Sequence, residues 1–292
     1  MRIAIYCKNN SELLVNFIEK LINTLKLHNC EVILNKFLLD IVNQNTNISN
    51  TYCKLFSENN ILNNVDLLLS IGGDGTLLDT ISFIRNSGTP ILGINIGKLG
   101  FISSITTEQF DVAISDIINK NYTINQRILL KVITSESKID NLDIALNEVA
   151  IQKKDSSSMI TIHTYVNDEF LNSYWADGLI IATPTGSTAY SLSCGGPIIA
   201  PNSNNIVITP IAPHNLTVRP IVIPDTEVVK MKISDKSLGY LISLDSRYYP
   251  GEPGDEIVVC KNNYTINFIE LKNNDFYMAL RNKLLWGKDV RN

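Results

Sequence analysis

Val65-Asp66-Leu67-Leu68-Leu69-Ser70-Ile71-Gly72-Gly73-Asp74-Gly75-Thr76 is the stretch on which the reading of the fold turns. Its first seven residues, VDLLLSI, form a near-continuous apolar run, as expected of a strand buried on both faces of a parallel sheet. The run passes directly into glycines. The following TLLDTISFIRNSG reads as a helix stopped near Gly88, and TPILGINIG at 89–97 supplies another strand. Upstream, RIAIYC at 2–7 reads as a strand. Ser11 is a plausible N-cap for LLVNFIEKLINTLKL, whose apolar residues recur at helical spacing. EVILNKF at 31–37 is expected to be a second strand, and the Asn-rich stretches 43–50 and 58–64 to be loop or helix edge. Alternating strands and helices predict a Rossmann-like, doubly wound α/β domain over residues 1–105, with ligands beyond the carboxyl ends of its strands. Asp74 lies at such an end.

The pattern changes after about residue 105. Helical spacing persists to about 120, and short β-rich runs then follow one another: ILLKVIT, IALNEVAIQ, ITIHTYV, LIIAT, NIVITPI, VVKMKIS, LGYLISL and EIVVC. They predict a β-sandwich-like second domain over 106–264. The segment 265–292, with NFIEL and FYMALRNKLLWG, reads as a strand and a helix packing back on the first domain.

Composition narrows the function. With 45% hydrophobic and 18% charged residues, the 292-residue chain can bury sizeable cores. A net charge of -4 gives no field to hold a nucleic acid, whose binding depends on many Lys and Arg contacts to phosphate. The five cysteines have no Cys-x-x-Cys spacing and the three histidines are scattered, which argues against structural zinc and suits a reducing cytoplasm. No apolar run approaches the roughly 18 residues of a membrane span, and the N-terminus does not read as a signal peptide. A cytoplasmic protein without a membrane partner is expected.

Three constellations carry chemistry. In the first, Gly72, Gly73, Gly75 and Thr76 surround Asp74 where a helix begins; glycines leave room for a phosphate and the helix offers free N–H groups. A carboxylate repels phosphate, so Asp74 there suits taking a proton or holding a divalent ion; a plain Asx-type turn is the alternative. The second runs from Asp177-Gly178 through Thr183-Pro184-Thr185-Gly186-Ser187-Thr188-Ala189-Tyr190-Ser191-Leu192-Ser193. Its hydroxyls (Thr185, Ser187, Thr188, Ser191, Ser193) suit ribose and phosphate oxygens, and Tyr190 could stack on a base. The third is Asn147-Glu148, polar in an apolar context; both side chains act together only at a strand end or bulge.

These motifs, with Gly93-Ile94-Asn95-Ile96-Gly97-Lys98-Leu99-Gly100-Phe101, Pro213-His214 and Arg219-Pro220, resemble the NAD kinase family from about residue 65 to 225. The long TPTGSTAYSLS segment is specific, whereas the glycine-aspartate turn is shared with lipid kinases and phosphofructokinases. The resemblance implies transfer of the γ-phosphoryl group of ATP to the adenosine 2′-hydroxyl of NAD, with a divalent cation such as Mg2+ and no protein metal ligand assigned. It implies that Asp74 accepts the proton, with Gly75 beside it. Asn147 and Glu148 would hold the adenosine part, Asp177 the nicotinamide end, and Thr188, Ala189, Tyr190, Ser191, Leu192 and Ser193 would line the dinucleotide. Ala212 matches a further NAD contact, and a homo-oligomer completes the site. The turn at Asp74 would then form one half of a cleft whose other half is the 183–193 loop.

Two departures stand out. Trp175 occupies a position where many relatives carry a basic residue, and Asp245-Ser246-Arg247 replaces Asp-Gly-Gln, so that Arg247 could reach a phosphate instead. His214 is equally readable as a turn histidine. A carboxylate is a weak base for a ribose hydroxyl, but phosphoryl transfer with a loose transition state needs little nucleophile activation. Asp74 is therefore expected to orient the hydroxyl and receive its proton late. The alternatives are a lipid kinase of the diacylglycerol or sphingosine type, whose sequences lack the GSTAY segment, and a non-catalytic NAD(P) sensor, which does not need Asp74.

Overall fold

The computed structural model describes residues 1–8, 12–45, 52–56, 62–97, 100–103, 105–139, 142–154, 158–234, 239–252, 254–272 and 276–284. Ser11, Lys98 and Leu99 lie outside the described residues, as do parts of the Asn-rich stretches. Two compact units are formed, Met1–Gln126 with Ile266–Asn292, and Arg127–Thr265.

The first unit opens with β1 (Arg2–Tyr6), α1 (Glu12–Leu27), β2 (Glu31–Leu34), α2 (Lys36–Asn45) and β3 (Cys53–Leu55). It continues with β4 (Leu67–Ile71), α3 (Asp74–Ile84), β5 (Ile91–Asn95), β6 (Ile105–Thr106), α4 (Phe110–Ile118) and β7 (Tyr122–Arg127). All five residues of β4 and of β5 are buried, which explains their largely apolar character. On α1, Leu14, Phe17, Ile18, Leu21, Ile22 and Leu25 form the buried stripe. Phe17 meets Phe110 of α4 edge-on at 5.4 Å, which joins the two helices in one core with β1, β4 and β5. Truncating a side chain here, such as the fully buried Leu69 to Ala, costs about 2–5 kcal/mol.

The second unit contains β8 (Leu130–Thr134), β9 (Ile144–Ala145), β10 (Glu148–Lys153), β11 (Ile160–Val166), β12 (Glu169–Ala176) and β13 (Gly178–Ala182). A 3-10 turn (Gly186–Thr188) and the one-turn α5 (Tyr190–Ser193) follow. Then come β14 (Asn205–Ile211), β15 (Ile221–Pro224), β16 (Val229–Ile233), β17 (Tyr240–Leu244), β18 (Arg247–Pro250) and β19 (Glu256–Lys261). Two six-stranded sheets result, ordered β15-β14-β13-β10-β17-β18 and β12-β11-β16-β19-β8-β9. Val149, Ile151, Leu179 and Ile181 of one sheet share a core with Val132, Ile162, Met231 and Val259 of the other, the arrangement of a sandwich. The alternate residues Ala150, Ile180, Ala182 and Val207 pack on the opposite face against Ile199, Tyr190 and Cys194. The polypeptide between β13 and β14 thus roofs a strand pair buried on both faces.

The chain re-enters the first unit through β20 (Ile266–Leu271) and α6 (Phe276–Leu284). The sheet there runs β3-β2-β1-β4-β5-β20-β7, with β6 also on β5, and β1 to β5 follow the doubly wound 3-2-1-4-5 order in parallel. The unit boundary falls at 126/127 instead of 105/106, since α4 contributes Phe110, Ala113, Ile114 and Ile117 to the first core.

Local readings differ in three places. The strand expected over 31–37 ends at Leu34, because Asn35 accepts the Leu38 N–H and opens α2. Helix α3 ends at Ile84, with Arg85 at φ 43° as its cap, before Gly88. Strands β3, β6, β7, β12, β15 and β18 escaped the sequence reading; β3, β6 and β15 are four residues or shorter, and β12 is a half-exposed edge strand without continuous apolar patterning.

Candidate active site

In the first unit the site begins where β4 stops. Gly72 takes φ 149°, and a Cβ there would lie 2.4 Å from Thr76 Oγ1, so no other residue fits the turn. Gly73 then adopts extended geometry and Asp74 opens α3. Gly73 and Gly75 are exposed, and a Cβ on either would meet nothing within 4 Å. The first turn of α3 is therefore uncovered at Gly73 and Gly75, where the dipole end is reachable, whereas Thr76 is buried and its N–H bonds Gly73 O at 3.0 Å. Asp74 itself is engaged. Its Oδ2 accepts the Phe101 N–H at 2.8 Å, and its Oδ1 accepts those of Ile102 at 3.2 Å and Ser103 at 2.9 Å.

In the second unit Asn147 and Glu148 sit at the break between β9 and β10, the strand end that simultaneous use of both side chains requires. They are 7% and 8% exposed, yet Asn147 Oδ1 and Glu148 Oε2 are buried without any hydrogen-bond partner. Orphaned buried acceptors are costly and mark a place for a ligand. The break is templated by Asp245, at φ 53°. Its Oδ2 accepts from Leu146 N at 2.9 Å, and its Oδ1 from Asn147 N at 2.8 Å and Glu148 N at 3.1 Å, while Asp245 N donates to Glu148 O at 3.0 Å. Burial, reinforced by the Asp245 charge, pushes the Glu148 carboxyl up to about 8 against an opposing hydrogen bond from the Tyr190 backbone N–H. Glu148 is thus chiefly an uncharged carboxylic acid at neutral pH. Arg247 donates through both terminal nitrogens to the carbonyls of Leu142 and Ile144. Its guanidinium bridges backbone on the chain leading into the Asn147 turn.

The hydroxyls of the 183–193 segment divide in two. Thr183 Oγ1 donates to Leu146 O at 2.6 Å and accepts from Gly186 N at 3.1 Å. Ser187 Oγ bonds Pro184 O at 2.7 Å and accepts from Ile199 N at 2.9 Å; Ser191 Oγ pairs with Thr209 Oγ1 at 2.8 Å. Thr183, Ser187 and Ser191 are fully buried, so their hydroxyls build the roof of the sheet. Thr188, Ala189, Tyr190 and Leu192 are half-buried and Ser193 is exposed, which leaves these to line a ligand surface. A Cβ on Gly186 would lie 2.0 Å from Asn147 O, so a glycine is needed for the loop to sit on the Asn147 turn.

Asp177 follows β12, and its carboxylate pairs with Lys153 Nζ at 2.7 Å. Burial raises the Tyr190 phenol, and the charges of Cys194, Tyr248, Asp177 and Glu148 act in the same direction. Ala212, exposed just past β14, has φ 43°, a strained value for a residue with a Cβ. Trp175, 51% exposed, lies with its ring 4.3 Å from that of His214, whose backbone N–H reaches Trp175 O at 2.9 Å. The two residues form one aromatic surface.

Each unit therefore gathers its own predicted residues: Gly72 to Thr76 in the first, and Asn147, Glu148, Asp177 and the Thr188–Ser193 loop in the second. Three roles were not legible in the sequence. They are those of the Phe101–Ser103 N–H groups, the Asp245 carboxylate and Lys153. Backbone donors have no residue signature, and a lysine on a strand has no mark of its salt-bridge partner. Among the described residues no group of three or more His, Cys, Asp and Glu side chains is placed to hold a metal ion. No described helix is long and apolar enough to cross a membrane.

A helix N-terminus on a doubly wound sheet, joined in one chain to a sandwich with a buried polar recess, suits a nucleotide-handling phosphotransferase. Residues 3–122 match the ATP-NAD kinase N-terminal domain and residues 146–271 the ATP-NAD kinase C-terminal domain. The chain is 46% identical over 294 residues to an NAD kinase of Flavobacterium psychrophilum and 45% identical over 299 residues to one of Flavobacterium johnsoniae, each alignment covering 100% of both chains. Among solved structures it resembles yeast NADH kinase complexed with NADH, with a TM-score of 0.86 and 26% identity over 99% of this chain and 88% of that one. An NAD kinase from Archaeoglobus fulgidus, at 24% identity and a TM-score of 0.76 over 97% and 98%, shares the fold. The chain belongs to the NAD kinase family. That membership does not favour the lipid-kinase or sensor alternatives.

Proposed function

We infer that the chain transfers the γ-phosphoryl group of ATP to the adenosine 2′-hydroxyl of NAD, giving NADP and ADP. The observation that carries this reading is the pair of buried, unpartnered oxygens at Asn147 and Glu148 beneath the Tyr190 loop. A recess of neutral donors and acceptors suits a nucleoside. In it Asn147 Oδ1 accepts from the adenosine part and the protonated Glu148 carboxyl donates to it. Asp177, held by Lys153, addresses the nicotinamide end, and Thr188 to Ser193 with Ala212 line the dinucleotide. The half-buried Tyr190 and the exposed Ser193 provide contacts by side chain, and Thr188, whose hydroxyl donates to Thr185 O at 3.2 Å, can only accept; Ser191 acts through backbone, since its hydroxyl is committed to Thr209.

On the first unit, the ATP phosphates approach the turn Gly72-Gly73 and Gly75, while the buried Thr76 supports that turn from beneath Gly72. A carboxylate offers about four acceptor positions. Three on Asp74 are taken, two on Oδ1 and one on Oδ2, which leaves Oδ2 to accept the 2′-hydroxyl. Asp74 orients that hydroxyl and takes its proton late, as a loose phosphoryl transition state allows. Magnesium has no protein cage among the described residues. The ion enters with the ATP phosphates as part of the substrate, in keeping with its usual use of few protein carboxylates. Trp175 and His214 replace a charged contact by an aromatic face. Arg247 supports the Asn147 turn and does not touch phosphate.

The enzyme works in the cytoplasm as a homo-oligomer in which a neighbouring subunit completes the site. Light scattering on the active enzyme tests this, and a strictly monomeric active species overturns it. For the reaction, purified protein is incubated with magnesium and ATP or polyphosphate, and with NAD or NADH, and 2′-phosphorylated product is measured. NADP formed from ATP and NAD is the expected result. A protein that binds NAD but forms no NADP sinks the reading.

A further inference from the structure

We propose that Gly93 and Gly100 are positioning residues for catalysis, because they let the 100–103 segment seat a fork of three backbone N–H groups on Asp74 that leaves Oδ2 as its open acceptor. The inference rests on the proposed role of Asp74 and extends it to part of the GINIGKLGF motif, for which no other task is apparent. Neither glycine has a positive φ, so conformational freedom is not the reason for them. The reason is proximity. A Cβ on Gly100 would lie 1.9 Å from Asp74 Oδ1 and 2.6 Å from its Cγ. A Cβ on Gly93, in the middle of β5, would lie 2.8 Å from Ser103 Cα and 2.9 Å from Leu77 Cδ1.

The segment is closed by Gly100 N donating to Ser103 O at 3.2 Å, and Ser103 is fully buried against β5. Strand β5 is itself in register with β4, whose end carries the Asp74 turn, with Ser70 opposite Gly93. One rigid path therefore fixes the carboxylate: β5 seats Ser103, the N–H fork points at Asp74, and the absent Cβ of Gly100 lets the fork close. Bonds from N–H to an ionised oxygen are the stronger kind, and three of them lock the side chain in one orientation. A carboxylate free to rotate would present its open lone pair to the acceptor hydroxyl only part of the time, which slows the chemical step without weakening dinucleotide binding.

The test compares Gly100→Ala, Gly93→Ala, Asp74→Asn and the double variant Asp74→Asn/Gly100→Ala. Steady-state kcat and KM are measured with ATP and NAD, and NAD binding is followed by calorimetry. Gly100→Ala is expected to lower kcat on the order of 100-fold, the usual general-base range, with KM for NAD changed less than about 3-fold. The double variant is expected to be no slower than Asp74→Asn, since residues acting as one unit are not additive. Gly93→Ala reaches the fork from the other side and is expected to lose about 10-fold in kcat. It keeps the test open if Gly100→Ala does not fold, and retained NAD binding certifies the fold of either. With Asp74→Asn inactive, a Gly100→Ala enzyme within about 3-fold of normal kcat overturns the proposal, as does a double variant slower by the full product of the single losses. Normal turnover in Asp74→Asn would sink the Asp74 assignment itself, and is told apart by that variant alone.

Discussion

Replacing Glu148 by Gln should make the protein more stable, by an amount that grows with pH. Burial and the neighbouring Asp245 raise the Glu148 carboxyl from 4.5 to about 8. Between those values the folded state holds a proton that the unfolded state has released, so stability falls as pH rises through that window. The linkage integral gives a folding cost of about 1 kcal/mol at pH 5 and about 3 kcal/mol at pH 7, approaching about 5 kcal/mol above pH 8. Glutamine is close to the neutral acid in shape and carries no such cost. Relative to the Gln variant, the natural protein should therefore lose about 2–3 kcal/mol between pH 5 and pH 7. For a unit of this size that corresponds to roughly 5–10 °C in Tm. Urea or thermal denaturation of both proteins, without nucleotide, at half-unit pH steps from 5 to 8 measures the difference. Titrating groups remote from Glu148 cancel between the two proteins, whereas Asp245, which shares its electrostatic field, contributes to the difference. A difference that stays constant across the range would mean that Glu148 is charged in the folded state, and the uncharged recess assigned to it would have to be abandoned.

Four further outcomes follow from the same contacts. Asp74→Asn should lower turnover on the order of 100-fold or more while NAD affinity, read by calorimetry, changes little. Arg247→Ala removes two charge-assisted bonds to backbone carbonyls and should cost stability by about 2–4 kcal/mol in urea titration; an unchanged midpoint with a large rise in KM for NAD would show that the arginine contacts ligand instead. Gly186→Ala drives a Cβ to 2.0 Å from Asn147 O and should destabilise by about 1–3 kcal/mol and weaken NAD binding. Lys153→Met frees Asp177 from its 2.7 Å pair and should raise KM for NAD by about 2–5-fold at low salt, with less effect at high salt. A salt-independent change would point to lost packing of the lysine stem.

The sequence by itself determined the two-layer logic of this protein. Seven residues ending at Ile71, followed by glycines and a helix, specify a buried parallel strand with a ligand beyond its end, because apolar runs and turn residues act locally. Short alternating runs after residue 127 specify a sandwich for the same reason. The motifs likewise marked Asp74, Asn147, Glu148 and the Tyr190 loop. What only the tertiary structure decided is what each of these polar groups touches. Ser187 and Ser191 read as ligand hydroxyls, yet burial over Ile199 and Thr209 turns them to the fold. Arg247 departs from the family pattern and by sequence could have reached a phosphate; the carbonyls of Leu142 and Ile144 take its guanidinium. Asp245, 97 residues from Glu148 in sequence, shapes the Asn147 turn and helps keep Glu148 uncharged. Hydrogen bonding and desolvation depend on which distant segments meet. No periodicity or local propensity encodes that meeting, so the orientation of Asp74 became visible only with the backbone of Phe101 to Ser103 in place.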